Sequence, residues 1–248
     1  MKISIITVSY NAAATIEDTI QSVLNQSYKN IEYVIIDGGS SDGTQAIIEK
    51  YSDRISYYVS EPDGGIYFGM NKGVIACTGD FIGILNADDV YASKTVISDV
   101  VELLQTAKTN TLYGDLEYVT EKNLNVVLRK WTSGIFERKK FLRGWMPPHP
   151  TFFVQKELYL KYGSFNTSFK ISADYELMLR FLFNNGLSAV YLPQTLIKMR
   201  VGGVSNSSLK NRLQANREDR RAWKINNLTP KWYTLFAKPA SKVMQFLK

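Results

Sequence analysis

Apolar positions in the first hundred residues fall into short runs whose period switches repeatedly between that of a strand and that of a helix. Ile3 to Ser9 is a β-rich run, and Ile16, Ile20, Val23 and Leu24 then share one helical face. Ile31 to Ile36 predicts a second strand, followed by the turn-rich GGSSDGT and a short helix through Ala46, Ile47 and Ile48. Ile55 to Ser60 predicts a third strand closed by EPDGG, Ile66 to Ala76 a helix, and Asp80 to Leu85 a fourth strand. Strands and helices alternating this closely imply a parallel sheet covered on both faces, the doubly wound α/β arrangement. Ligands of such sheets bind beyond the carboxyl ends of the strands, so Asp37, the EPDGG loop and the adjacent Asp88 and Asp89 belong on one edge.

The pattern changes after a helix predicted from Ser93 to Gln105. Thr111 to Val119 and Val126 to Trp131 alternate like the strands of a hairpin around EKNLN, which makes the second half of the sheet mixed. WMPPHP, residues 145–150, cannot be regular helix and reads as a rigid loop. Helices are predicted from Gln155 to Tyr162, and from near Ala173 to the stop signal Asn184-Asn185-Gly186. Beyond Gly203 comes a polar, basic helix from Ser208 to Lys224, then a segment from Trp232 to Lys248 that Pro239 interrupts. The expected organisation is a body over 1–204, split near residue 110, with a helical extension over 205–248.

Charge sharpens that division. Ser205 to Lys248 holds ten Lys and Arg against Glu218 and Asp219, whereas the rest of the chain is nearly balanced; the net charge of +7 is therefore all in the extension. Basic residues interspersed with Trp223, Trp232, Tyr233, Phe236, Phe246 and Leu247 suit peripheral contact with an anionic membrane, the alternatives being a helix packed on the domain or a dimer contact. Nothing else suggests nucleic acid as a partner, and oligomeric state leaves no mark on the pattern. No apolar run is long enough to cross a bilayer, and the start, MKISIITVSYNAAA, makes a better strand than a signal peptide. A single cysteine, Cys77, rules out an internal disulfide and a cysteine zinc cluster. The expected location is the cytoplasm, with the inner face of the cell membrane as the place for peripheral contact.

Five blocks in order, ISIITVSYNAAATI, VIIDGGSSDGT, EPDGGIYFGMNKG, GDFIGILNADDV and ISADYELMLR, resemble the family 2 glycosyltransferases, inverting enzymes of the Rossmann-like GT-A fold. Within that family the likeness is to small bacterial enzymes of polysaccharide assembly. It covers about residues 1 to 205. The resemblance implies transfer of a monosaccharide from a nucleotide diphosphate sugar, a UDP-sugar first, to a hydroxyl of a glycan or lipid-linked acceptor.

The resemblance also distributes roles. Asp37 matches the base-recognising aspartate, and a carboxylate at a strand end with acceptor capacity to spare suits that task, the alternative being a cap of the GGSSDGT turn. Thr7, Ser9, Tyr10 and Asn11 would close the same pocket. Asn86-Ala87-Asp88-Asp89 matches the DxD-type motif with Asn86, which can still hydrogen-bond a ribose or sugar, in place of its first acid; Asp88 and then Asp89 are the expected ligands of Mn²⁺ or Mg²⁺, the alternative being a helix N-cap before Ser93. Asp174 matches the catalytic base, a role one carboxylate fulfils by taking the proton of the attacking hydroxyl, while its place also suits a first-turn acid facing the helix dipole. Asp63 would touch the nucleotide, Asn71 and Lys72 the sugar or phosphates, and Arg200 would clamp the diphosphate from a flexible loop. His149, the lone histidine, would line the acceptor side. The chain lacks a GxGxxG after its first strand and the QxxRW-type motif of processive synthases, which disfavours a dinucleotide oxidoreductase and favours single addition. The alternative is a catalytically silent module that binds nucleotide sugar, for which Asn86 is the motivating feature.

Overall fold

The computed structural model describes residues 1–202 and 209–234 of the chain. Its first half runs β1 (Ile3–Ser9), α1 (Ile16–Leu24), β2 (Ile31–Asp37), α2 (Thr44–Glu49), β3 (Tyr57–Ser60), α3 (Ile66–Ala76), β4 (Phe81–Ile84), β5 (Val90–Tyr91) and α4 (Val96–Ala107). The second half comprises β6 (Thr111–Val119), β7 (Val127–Trp131), β8 (Phe153–Gln155), α5 (Lys156–Tyr162), α6 (Ala173–Met178), β9 (Val190–Arg200) and α7 (Leu209–Ile225). A single sheet has the order β3-β2-β1-β4-β8-β6-β9-β5, with β7 paired to β6. Strands β3, β2, β1 and β4 are parallel. Strand β8 joins β4 to β6 in antiparallel fashion, and β9 lies parallel to β6. The parallel first half, the mixed second half and helices on both faces agree with the sequence pattern.

Both faces of the parallel strands are buried, which is why these strands read as continuous apolar runs. Ile6, Val8, Val34, Ile36, Ile82 and Ile84 face a core shared with α3, α5, α6 and α7. Ile3, Ile5, Tyr33, Ile35 and Phe81 face the opposite core, with α1, α2 and α4. Helix α3 lies almost on the backbone of β1: a Cβ on Gly69 would stand 2.6 Å from Val8 Cγ1, and one on Gly73 would stand 2.5 Å from Ile6 Cγ2. That close approach fixes the helix start at the same edge as the strand ends.

Strand β9 is absent from the sequence pattern because Pro193 interrupts it, and proline cannot donate to a ladder. The sheet accommodates it with a register shift: Tyr113 pairs with Tyr191, but Asp115 pairs with Thr195. Strands β5 and β8 are two and three residues long, too short to show a period. Helix α7 does not stand off the body. Ala222 and Trp223 are fully buried, and the Trp223 indole donates to the Tyr175 hydroxyl at 2.8 Å. Trp223 therefore belongs to the core and not to a membrane-facing set of aromatics, while Phe236, Phe246 and Leu247 lie outside the described residues.

At the opposite, amino-terminal edge of the sheet, Glu32 accepts from Lys2 Nζ at 2.8 Å, Ser4 Oγ at 2.5 Å, and the amide and hydroxyl of Thr78, both at 2.6 Å. Burial by itself would raise the pKa of Glu32, but these hydrogen bonds outweigh it and hold the carboxyl at about 2. The fold thus favours the carboxylate; its contribution is complete above the unfolded value of 4.5 and is lost as pH falls from there through about 2. Glu32→Gln is expected to lower the unfolding free energy by ~3 kcal/mol near neutral pH and by progressively less below about pH 4.5. Urea unfolding of both chains across this range checks it; a gap that stays constant with pH would refute the assignment.

Candidate active site

The carboxyl ends of β1, β2, β3 and β4 deliver Tyr10-Asn11, the 38–43 turn, the 61–65 loop and Asn86 to Asp89 to one edge. Strand pairing aligns Ser9 with Asp37, and Asp37 with Ser60. Asp37 is fully buried and saturated. One carboxylate oxygen accepts from Ser9 Oγ at 2.8 Å and Ser40 Oγ at 2.5 Å, the other from Ser60 Oγ at 2.6 Å and the amides of Ser40 and Gly39 at 2.8 and 3.2 Å. Burial opposes ionisation, but hydrogen bonds from Ser40, Ser60 and Ser9 prevail and lower its pKa. The expectation of acceptor capacity to spare is corrected: Asp37 fastens three strand ends together, so the turn-capping alternative describes it.

The surface at this edge is made by its neighbours. A Cβ on Gly38 would meet the Tyr10 ring at 3.4 Å and Asp63 Oδ1 at 3.6 Å. Tyr10 is 69% exposed. Asp63 is half-buried and accepts from the Gly65 amide at 2.7 Å. Asn11, at φ 49°, accepts from Ser41 N–H at 3.0 Å and sends its own amide to Ser40 Oγ at 2.8 Å, tying the loop after β1 to the turn after β2. Thr7 is fully buried against Tyr33, 3.1 Å between hydroxyls, and Ser9 is spent on Asp37; both hydroxyls are engaged within the protein.

Asp88 is half-buried and Asp89 wholly buried. Asn86 donates to Asp89 Oδ2 at 2.9 Å, and Asp89 Oδ1 has no partner. Burial, with the neighbouring Asp88 second, pushes the Asp89 carboxyl well up, while burial raises Asp88 against the opposing pull of Arg200. Of the two expected metal ligands, then, Asp88 is presented at the edge and Asp89 is turned inward. Among the described residues no group of three or more His, Cys, Asp or Glu is placed to hold a metal ion. The donor set fits a hard divalent cation only as one carboxylate whose coordination the phosphate oxygens of a donor complete.

Arg200 corrects another expectation. It ends β9, is 5% exposed, and directs Nη1 to the Asp88 carbonyl at 2.6 Å, Nη2 to Asp18 at 2.5 Å and Nε to the Glu121 carbonyl at 3.1 Å. Its charge steadies the Asp88 loop from the end of a strand, not from a flexible loop. Asn71 is likewise committed, accepting from Ser164 Oγ and Phe165 N–H and donating to the Phe165 carbonyl. Lys72 pairs with Glu61 at 2.9 Å on the flank of the 61–65 loop.

Asp174 stands in the first turn of α6, half-buried, and among the described residues its hydrogen-bond partner is the Tyr67 hydroxyl at 3.4 Å. Tyr67, in the first turn of α3, donates to the Ile171 carbonyl at 2.7 Å, which joins the start of α6 to the edge where the strands end. From the other side, Glu218 of α7 accepts from the amides of Lys170, Ile171 and Ser172 at 3.2, 2.9 and 2.9 Å. His149 lies edge-on to Phe165 at 5.7 Å; burial lowers its pKa against the pull of Asp174, leaving the imidazole neutral at pH 7. The structure thus brings Asp174, His149 and Tyr67 together. Tyr67 and Glu218 carry no signal in the chain beyond an aromatic after a glycine pair and an acid in a basic helix.

Residues 4–165 match the family described as Glycosyl transferase family 2. An uncharacterized glycosyltransferase of Mycobacterium tuberculosis is 34% identical over 182 residues, 72% of this chain and 68% of its own. A PGL/p-HBAD biosynthesis glycosyltransferase of Mycobacterium bovis is 27% identical over 82% of this chain and 79% of its own. Staphylococcus aureus TarS 1-349, solved in complex with UDP-GlcNAc, shares 17% identity with a TM-score of 0.72 over 91% of this chain and 65% of that one. The mannosyltransferase PcManGT from Pyrobaculum calidifontis, solved with GDP-Man and Mn²⁺, shares 18% with a TM-score of 0.66 over 99% of this chain and 69% of that one. At these identities the two structures establish the fold; this chain spans about two thirds of each.

Proposed function

Because the chain belongs to glycosyl transferase family 2 and has the GT-A fold, we propose that it moves a monosaccharide, with inversion, from a nucleotide diphosphate sugar to a hydroxyl of a glycan or lipid-linked acceptor. The observation that carries this reading is the placement of Asp174: a carboxylate with one long hydrogen bond, at a helix start joined through Tyr67 to the edge where the strands end. Residues 1–110 take the donor and 111–204 the acceptor. The base lies over Gly38 between Tyr10 and Asp63, so Asp63 inherits the acceptor role that Asp37 cannot fill; uracil, whose imide N–H needs such an acceptor, is the favoured base. Asp88 would hold Mn²⁺ or Mg²⁺ together with phosphate oxygens of the donor. That ion, when bound, neutralises charge on the departing diphosphate. Asp174 takes the proton of the acceptor hydroxyl as it attacks, and neutral His149 beside it shapes the acceptor side. No helix among the described residues is long and apolar enough to cross a membrane; the cytoplasmic face, with peripheral contact through the basic C-terminal region, is the location that the charge pattern supports.

A panel of nucleotide sugars tested by thermal shift, with and without Mn²⁺, identifies the donor. The matching donor at about a hundredfold over its Kd is expected to stabilise the chain by ~2.7 kcal/mol, and Asp88→Ala to abolish the part that depends on Mn²⁺. Donor binding without nucleotide release in the presence of any glycan acceptor would select a silent binding module instead.

A further inference from the structure

One surface outside the transfer site combines exposed cations with exposed apolar side chains. In the segment after β7, Arg138, Lys139 and Arg143 are exposed, and Ile135 is 73% exposed next to them. Lys140 donates to the Ile135 carbonyl at 2.6 Å and pairs with Glu137 at 3.2 Å, so the acid of this segment is already neutralised. Thr234 donates to the Leu142 carbonyl at 2.6 Å, which brings Lys231, Trp232 and Tyr233 to the same place. Trp232 is 85% exposed, its ring edge-on to Tyr233 at 5.6 Å.

Helix α7 extends the surface. Phe183 packs against Trp223 of α7 at 5.2 Å and receives the Arg138 guanidinium over its ring at 5.1 Å, so the two elements meet on one side chain. The acids of α7, Glu218 and Asp219, are buried, while Arg217, Arg220 and Lys224 are exposed. The cations Arg217, Arg220 and Lys224 of α7 are therefore presented outward, with the acids of the helix withdrawn.

An exposed indole among lysines and arginines matches the boundary of a bilayer, where the ring enters the headgroup layer and the cations meet anionic headgroups. A nucleic-acid duplex would take the cations but leave Ile135 and Trp232 in water. We propose that the face formed by residues 135–143, the outer side of α7 and Lys231 to Tyr233 docks on an anionic lipid surface. The 135–143 segment belongs to the loop from Thr132 to Pro150 that carries His149, so docking presents a lipid-linked acceptor to the site from the membrane. This last clause rests on the transferase reading; the docking does not.

The test mixes the full chain, without donor or acceptor, with vesicles of phosphatidylcholine alone and of phosphatidylcholine and phosphatidylglycerol in equal parts, and reads the bound fraction by sedimentation. Binding to the anionic vesicles is expected to be tighter by about tenfold or more and to weaken with salt. The pair Lys139→Glu with Arg143→Glu, and separately Trp232→Ala, are each expected to weaken it about tenfold while leaving donor-induced thermal stabilisation unchanged. Equal binding to both vesicle types, or variants bound as tightly as the parent chain, overturns the proposal. So does a charge-reversed pair that loses duplex DNA but keeps the anionic vesicles. With donor absent from the vesicle experiment, docking and the transferase reading can each fail alone.

Discussion

Asp174→Asn is expected to lower the turnover number by about 10²- to 10⁴-fold while leaving the donor KM within about twofold. Asparagine keeps the shape of the side chain, and its carbonyl still accepts from the Tyr67 hydroxyl that reaches Asp174 at 3.4 Å. It cannot take a proton, so the loss falls on the step in which the acceptor oxygen attacks. On the proposed reading donor affinity is set elsewhere, at Tyr10, Asp63 and Asp88, which is why binding and turnover are expected to separate. Release of nucleoside diphosphate, followed at saturating donor with the identified acceptor, measures the effect. A variant that turns over at the parent rate would remove Asp174 from the chemistry and with it the proposed mechanism.

Arg180→Ala is expected to destabilise the fold by ~3 to 5 kcal/mol, the cost of leaving a buried charge without its partner. Glu176 is 2% exposed, and Arg180 meets both its oxygens at 3.0 Å from Nε and Nη2. The same guanidinium donates to the carbonyls of Tyr162, Gly163 and Ser164, so one side chain fixes the loop leading to Phe165. Phe165 stacks on Tyr67 at 5.9 Å and meets His149 at 5.7 Å, and α6 carries both Glu176 and Asp174. Arg180→Lys keeps the charge but loses the forked geometry that reaches carboxylate and carbonyls together, and is expected to fall between the two. Urea unfolding of the three chains decides; a loss below about 1 kcal/mol for alanine would mean that the pair is solvated and the loop is held by other contacts.

The strand and helix pattern of the first half was legible because burial on both faces writes itself into consecutive positions. Ile31 to Ile36 and the helix through Gly69 and Gly73 carry in their own residues the reasons for their place. The order of chemical motifs was legible as well, and the strand-end rule placed Asp37, Asp63 and Asp88 on one edge. Helix α7 was visible as a helix, but the choice between packing on the domain and facing a membrane was not, because one buried tryptophan and two buried acids in a basic stretch look like a solvated face. Strand β9 was hidden by Pro193, which only a register shift against β6 makes tolerable.

What the chain determined alone was therefore periodicity and the alignment of acids along an edge, since both follow from neighbours in sequence. Which acids are free was decided by partners far away. Asp37 is consumed by Ser9 and Ser60, strangers until β1, β2 and β3 pair; Arg200 is drawn inward by Asp18, 182 residues before it. A carboxylate or guanidinium is available to a ligand only when folding has not already satisfied its hydrogen bonds, and that accounting closes in three dimensions.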